Sequence, residues 1–159
     1  MDGEKAKLKE KRYNSLYIDL ATRISDMSYA ERLRVGAVIV KNDNIISFGW
    51  NGMPSGWDNN CEGVVDVDPN DIRYNYNNFT KELKTRPEVS HAEQNAIAKL
   101  AKSNESGLGA TMFITHSPCM DCAKLVYQSG INTVYYRNSY RNEDGIQFLE
   151  KAGVKIEKV

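Results

Sequence analysis

Two short stretches of this chain carry residue types that belong at a metal: Ser90-His91-Ala92-Glu93 and Ser117-Pro118-Cys119-Met120-Asp121-Cys122. One imidazole and two thiolates suit Zn2+, and three protein ligands leave the fourth tetrahedral position open for a water. An open position belongs to catalysis rather than to a scaffold. Glu93, two residues beyond His91, can reach that water without being a ligand, which makes it the candidate proton shuttle. Each group has a plainer use when taken singly: His91 as a capped surface residue, Glu93 as a capping partner, Cys119 with Cys122 as a redox pair. It is their combination, in this order, that points to chemistry.

Local grammar places both stretches at helix starts. Ser90 followed by Glu93 reads as a capping box, and Ser117 before Pro118 reads as an N-cap with proline at the first helical position. Each helix then directs its positive end at the metal, which favours thiolates and a bound hydroxide. Cys119 and Cys122 share one helical face.

The pattern H-x-E followed by P-C-x-x-C is the signature known for zinc deaminases of nucleobases. With Val35-Gly36-Ala37-Val38-Ile39-Val40, Gly49-Trp50-Asn51-Gly52-Met53-Pro54-Ser55-Gly56 and His91-Ala92-Glu93-Gln94-Asn95-Ala96-Ile97, the chain resembles the cytidine/deoxycytidylate deaminase superfamily from about Val35 onward. The Asn-Gly-Met-Pro-x-Gly loop is similar to that of its deoxycytidylate branch, which includes phage members.

That resemblance implies a three-layer α/β/α cytidine-deaminase-like fold, with a five-stranded mixed sheet, in one domain over residues 1–159. It implies His91, Cys119 and Cys122 on one catalytic Zn2+, with Glu93 as the catalytic acid and base. Asn51, Ala92, Ser117 and Tyr140 would contact the substrate, Asn51 at its sugar and Tyr140 near its pyrimidine. The implied reaction is hydrolysis of dCMP to dUMP and ammonia, which supplies dUMP for dTTP synthesis. Gly49-Trp50-Asn51-Gly52 matches an effector motif usually written with Tyr, so dCTP with Mg2+ would activate and dTTP inhibit in a homohexamer. Trp for Tyr keeps a stacking surface and loses a hydroxyl. Deamination of cytidine, deoxycytidine, dCTP or tRNA adenosine, or a non-catalytic zinc-stabilised nucleotide-binding domain, stays open on the residues alone.

The elements that must carry these residues can be outlined from periodicity. Leu16, Tyr17, Leu20, Ala21, Ile24 and Met27 recur at three- and four-residue spacing and predict an amphipathic helix from Tyr13 to about Ala30, after a charged, frayed start. Arg34 to Lys41 and Ile45 to Trp50 predict a hairpin closed at Asn42-Asp43-Asn44. Residues 58–87 predict no regular element beyond a short helix, and the cluster Tyr74-Asn75-Tyr76-Asn77-Asn78-Phe79 is expected to pack on the domain. After them come a helix to about Lys102, a strand at Ala110–Thr115 and a helix at Pro118–Ser129 closed by Gly130. A strand at Thr133–Tyr136, a helix at Glu143–Ala152 before Gly153 and a strand at Val154–Val159 complete the chain. Strands alternating with helices demand parallel pairing with right-handed crossovers, and sites in such sheets lie beyond strand ends. Arg32 and Arg34 read as surface, while Arg137 and Arg141 are candidates for a 5′-phosphate.

Composition narrows the classes further. Twenty-one basic and twenty-one acidic residues cancel, so no bulk field favours nucleic acid or an anionic membrane. No apolar run reaches membrane-spanning length and the basic N-terminus lacks a signal segment, so the cytoplasm is expected, the host's for a phage-encoded chain. Three cysteines make no disulfide framework. Beside the predicted ligands, Cys61 and His116 are too few for a second closed zinc site, so one zinc per chain is expected.

Overall fold

The computed structural model describes residues 2–66 and 81–159. Helix α1 (Asp2–Ser25) precedes the strands β1 (Gly36–Lys41) and β2 (Asn44–Trp50). A separate two-stranded ribbon follows, β3 (Glu62–Asp66) with β4 (Lys81–Thr85). Then come α2 (Ala92–Leu100), β5 (Thr111–His116), α3 (Met120–Gln128), β6 (Thr133–Asn138), α4 (Asp144–Lys151) and β7 (Lys155–Lys158). The main sheet has five strands in the order β2-β1-β5-β6-β7. β1 is antiparallel to both β2 and β5, whereas β5, β6 and β7 run parallel. This is the expected mixed sheet.

Side chains alternate across a strand, so one strand can feed two cores. Ala37 and Ile39 face α2, α3 and α4, where they pack with Ala92, Ala96, Val126 and Leu149. Val38 and Val40 face α1, where they pack with Tyr17, Ile18, Ala21, Phe113 and Tyr135. The uninterrupted apolar run of β1 follows from burial on both faces, which makes the fold a three-layer α/β/α sandwich. Gly36 lets α1 lie directly on β1, because a Cβ there would stand 2.0 Å from the Ala21 carbonyl oxygen. The hairpin turn places Asn42 at φ 50° and Asp43 at φ 60°, the left-handed pair that a two-residue turn of this hand requires.

Three boundaries differ from expectation. α1 begins at Asp2, not Tyr13, because Ala, Lys, Glu and Leu sustain a helix on propensity without an apolar stripe. It ends at Ser25, not Ala30, where Met27 and Ser28 bond back only three residues and the Ser25 hydroxyl donates to the Thr22 carbonyl at 2.6 Å. Within residues 58–87 the chain forms the β3–β4 ribbon where at most a short helix was expected. Short strands with polar partners, such as Glu62 opposite Thr85 and Val65 opposite Glu82, show too little alternation to be read. The cluster Tyr74 to Phe79 lies outside the described residues. Among the described residues, no helix is long and apolar enough to cross a membrane.

Candidate active site

The C-terminal ends of β5 and β6 meet the N-termini of α2 and α3 above one edge of the sandwich. There the structure corrects both predicted caps by one or two residues. The N-cap of α2 is His91, not Ser90, and its N–H donates to Gln94 Oε1 at 2.7 Å. Ser90 cannot start the helix because its backbone is extended and exchanges two hydrogen bonds with Gly52, at 3.0 and 3.1 Å. Gln94 therefore serves as the capping partner that Glu93 was expected to be, and the Glu93 carboxylate is released into the site. Likewise the N-cap of α3 is Cys119, not Ser117. The Ser117 N–H donates to the Asn138 carbonyl at 2.9 Å and its hydroxyl accepts from the Tyr140 N–H at 2.7 Å. Ser117 is spent on joining two strand ends, so Pro118 lies ahead of the helix.

This arrangement brings His91, Cys119 and Cys122 together. His91 Nδ1 lies 3.3 Å from Cys122 Sγ and 3.6 Å from Cys119 Sγ, and all three ligand atoms fall within 4.8 Å of one another. A tetrahedral zinc with ordinary Zn–S and Zn–N bonds separates nitrogen from sulfur by about 3.5 Å. The donor set and its spacing thus fit one zinc with an open position. Among the described residues no other such group of His, Cys, Asp or Glu comes together. Cys61 is buried elsewhere, among Ala30, Val89 and Met53.

The electrostatics fit a cation as well. Hydrogen bonds from Cys122 and His91 hold Cys119 down at about 4, so this thiol is a thiolate at neutral pH. The hydrogen bond to Cys119 and then burial push Cys122 up, and the bond to Cys119 raises His91. Without a metal Cys122 therefore keeps its thiol proton, and a divalent cation bound there would displace it. Burial lifts the Glu93 carboxyl to about 7, against small opposing effects from its backbone, His91 and Cys122. A carboxyl poised there can both take and give a proton near neutral pH.

A cavity of about 390 Å³ opens over these groups. Asn51, Ala92, Ser117 and Tyr140, all expected at the substrate, line it. Asn51 also has a structural duty: its amide accepts from the Val35 N–H and donates to the Leu33 carbonyl, both at 2.8 Å. Gly49, Trp50 and Gly52 do not line the cavity. A Cβ at Gly49 would stand 2.6 Å from both Ala92 O and Ala96 N, so this glycine lets β2 touch α2. Trp50 stacks on Phe48, ring centroids 6.4 Å apart, with Lys99 Nζ 5.0 Å from the indole and 4.3 Å from the Phe48 ring.

The arginines sort differently from expectation. Arg137 turns away to α1, where it donates to Thr22 Oγ1 at 2.7 Å and to Asp19 Oδ1 at 2.5 Å. Arg141 does line the cavity, and so does the exposed Arg32 that was read as plain surface. His116, Val35 and Val89 line it too. Nothing in their types marks them, but His116 ends β5 one residue before Ser117, where strand ends feed a site.

Gly145 of α4 supports the metal loop from behind. A Cβ there would meet Pro118 O at 2.1 Å and Cys119 O at 2.9 Å. Gly145→Ala is expected to destabilise the fold by about 1–3 kcal/mol, as overpacking does. Because the clash falls on the backbone of Cys119, zinc affinity should fall with it. Thermal melts of zinc-loaded protein and a competition titration against a chromogenic chelator check both effects.

Comparison with known proteins agrees with this geometry. Residues 11–138 match the model of the cytidine and deoxycytidylate deaminase zinc-binding region. The chain is 33% identical to the deoxycytidylate deaminase of Enterobacteria phage T4, covering 89% of this chain and 87% of that protein. It is 33% identical to ComE operon protein 2 of Bacillus subtilis, covering 92% and 71% respectively. A crystal structure of the dCMP deaminase of cyanophage S-TIM5 in complex with dCMP and dUMP is 43% identical, with a TM-score of 0.76 over 91% of this chain and 95% of that one. By its fold, its zinc-ligand set and these matches, the chain belongs to the cytidine and deoxycytidylate deaminase family.

Proposed function

We propose that this protein hydrolyses dCMP to dUMP and ammonia, with one zinc per chain held by His91, Cys119 and Cys122. The observation that carries the reading is the fully buried Glu93 carboxyl, freed from capping by Gln94, bonded to Cys122 and lining one cavity with His91 and Cys119. The likeness to a cyanophage enzyme solved with dCMP and dUMP supports the choice of substrate. Zinc would supply a water of lowered pKa at its open position. Glu93 takes a proton from the attacking water, passes it to ring N3 of cytosine and then serves the departing ammonia. Asn51 and Tyr140 border the sugar and the base, and Ala92 and Ser117 offer the ring their backbone and hydroxyl. Val35, Val89 and Ala92 give the cavity an apolar side.

Regulation belongs to the same proposal. Gly49, Trp50, Asn51 and Gly52 would contribute to a second nucleotide site in a homohexamer, with dCTP and Mg2+ activating and dTTP inhibiting. The exposed Phe48 and the half-buried Trp50 beside Lys99 support this, since a base can stack there while a cation meets its phosphates. Such an enzyme would work in the cytoplasm and feed dUMP to dTTP synthesis.

The test is loss of cytosine absorbance with dCMP, dCTP, deoxycytidine and cytidine in parallel, each with and without dCTP or dTTP and Mg2+. Turnover of dCMP above the others, raised by dCTP and suppressed by dTTP, is expected. Preference for a nucleoside would reject the substrate, and indifference to both triphosphates would reject the regulation. Metal analysis should find one zinc per chain; two would reject the stoichiometry.

A further inference from the structure

The β3–β4 ribbon ends at the cavity. Thr85, the last residue of β4, lines the cavity beside Arg32, and its hydroxyl accepts from Arg32 Nη1 at 3.2 Å. Glu62, the residue paired with Thr85 across the ribbon, holds the backbone of the same loop. Its two carboxylate oxygens each lie 3.2 Å from the Glu31 N–H, and Oε1 also lies 3.2 Å from the Arg32 N–H. Two directly opposed ribbon residues therefore grip Arg32, one by its backbone and one by its guanidinium.

A long exposed side chain loses rotamer freedom when it is held in this way. The other arginines near the site are engaged elsewhere: Arg137 with Asp19 and Thr22, and Arg34 with the Ala30 carbonyl at 3.2 Å. Arg32 and Arg141 are the cations left on the cavity wall among the described residues. The Thr85 hydroxyl engages one of the five N–H donors of the Arg32 guanidinium, and the planar fork suits a phosphate. The Glu62 charge is turned to backbone N–H groups, so it does not compete for that fork.

We propose that Glu62 and Thr85 are positioning residues that hold Arg32 at the cavity rim, where it receives the anionic tail of the substrate and sets a preference for nucleotide over nucleoside. This rests on the proposed deamination of dCMP. Rates on dCMP and deoxycytidine, together with zinc content, would be measured for the wild type and for Arg32→Ala, Glu62→Gln, Thr85→Val and Thr85→Ser. Where deoxycytidine turns over too slowly, competition by dUMP and by deoxyuridine gives the same ratio.

Arg32→Ala should lower kcat/KM for dCMP by about 10- to 100-fold, the worth of a charge-assisted hydrogen bond, and change deoxycytidine far less. Glu62→Gln and Thr85→Val should raise the KM for dCMP by about 3- to 10-fold with little change in kcat, consistent with loss of positioning rather than of contact. Thr85→Ser keeps the hydroxyl and should stay close to the wild type. A merely structural ribbon would lower both substrates and zinc content together, and that result would overturn the proposal. Turnover of dCMP by the wild type with an unchanged nucleotide preference in the variants would overturn this inference alone. No turnover of dCMP by the wild type would overturn the functional reading and this inference with it.

Discussion

A Glu93→Gln variant is expected to keep its zinc and lose turnover of dCMP by about two to four orders of magnitude, the usual weight of a positioned acid or base. Glutamine matches glutamate in shape and the side chain is buried at 4% exposure, so the cavity should survive the change. What disappears is the group proposed to accept the water proton and return it to the base. Metal analysis beside single-turnover kinetics separates the two effects. A variant with near-wild-type rate would remove Glu93 from its role.

The same variant should be more stable without metal. The Glu93 carboxyl sits at about 7 in the fold against 4.5 for the ordinary group, because burial disfavours its charge. The native state thus holds this proton more tightly than the unfolded chain does, and its stability falls as pH rises between those two values. Above about pH 7 the cost reaches at most roughly 3 kcal/mol, and glutamine escapes it. Metal-free melts of the two proteins should therefore coincide near pH 4 and diverge toward pH 7, with the variant higher. Parallel melting curves across that range would show that the carboxyl is not strained by burial.

The second large effect is expected at Cys122. Cys122→Ala removes one of three ligands and should weaken zinc binding by more than about 100-fold, since even partners behind the ligands carry 10- to 100-fold. The residue is fully buried in α3, so the loss is felt in folding as well. Metal at a thousand times its dissociation constant contributes about 4 kcal/mol to the native state. For a chain of this size that corresponds to about 8–16 °C in Tm. Scanning calorimetry with and without zinc should show the shift in the wild type and almost none in the variant. An equal zinc-dependent shift in Cys122→Ala would move the metal away from these ligands.

Much of the architecture was legible because its signals are local. The apolar run from Val35 to Val40, the turn at Asn42-Asp43, and Gly130 and Gly153 closing helices at φ 80° and 79° all reflect backbone preferences a few residues long. The β3–β4 ribbon was not legible, because its two short strands are stabilised by each other and by the Glu31–Arg32 loop rather than by their own pattern. The caps failed for a related reason. Ser90 and Ser117 have the right hydroxyls for helix starts, but pairing with Gly52 and Asn138 claims their backbones first.

The residue types by themselves determined the chemistry: one imidazole, two sulfurs and a carboxyl at spacings that suit a zinc-assisted proton transfer. Local spacing can do this because ligand identity and helix periodicity are properties of a few consecutive residues. Only the tertiary structure decided that Gln94, not Glu93, caps α2. It also turned Arg137 toward α1, placed Arg32 at the cavity, and gave Asn51 the task of pinning residues 33 to 35. Those outcomes depend on contacts between distant segments, where several partners of the same type compete and the packing of the whole sheet selects one.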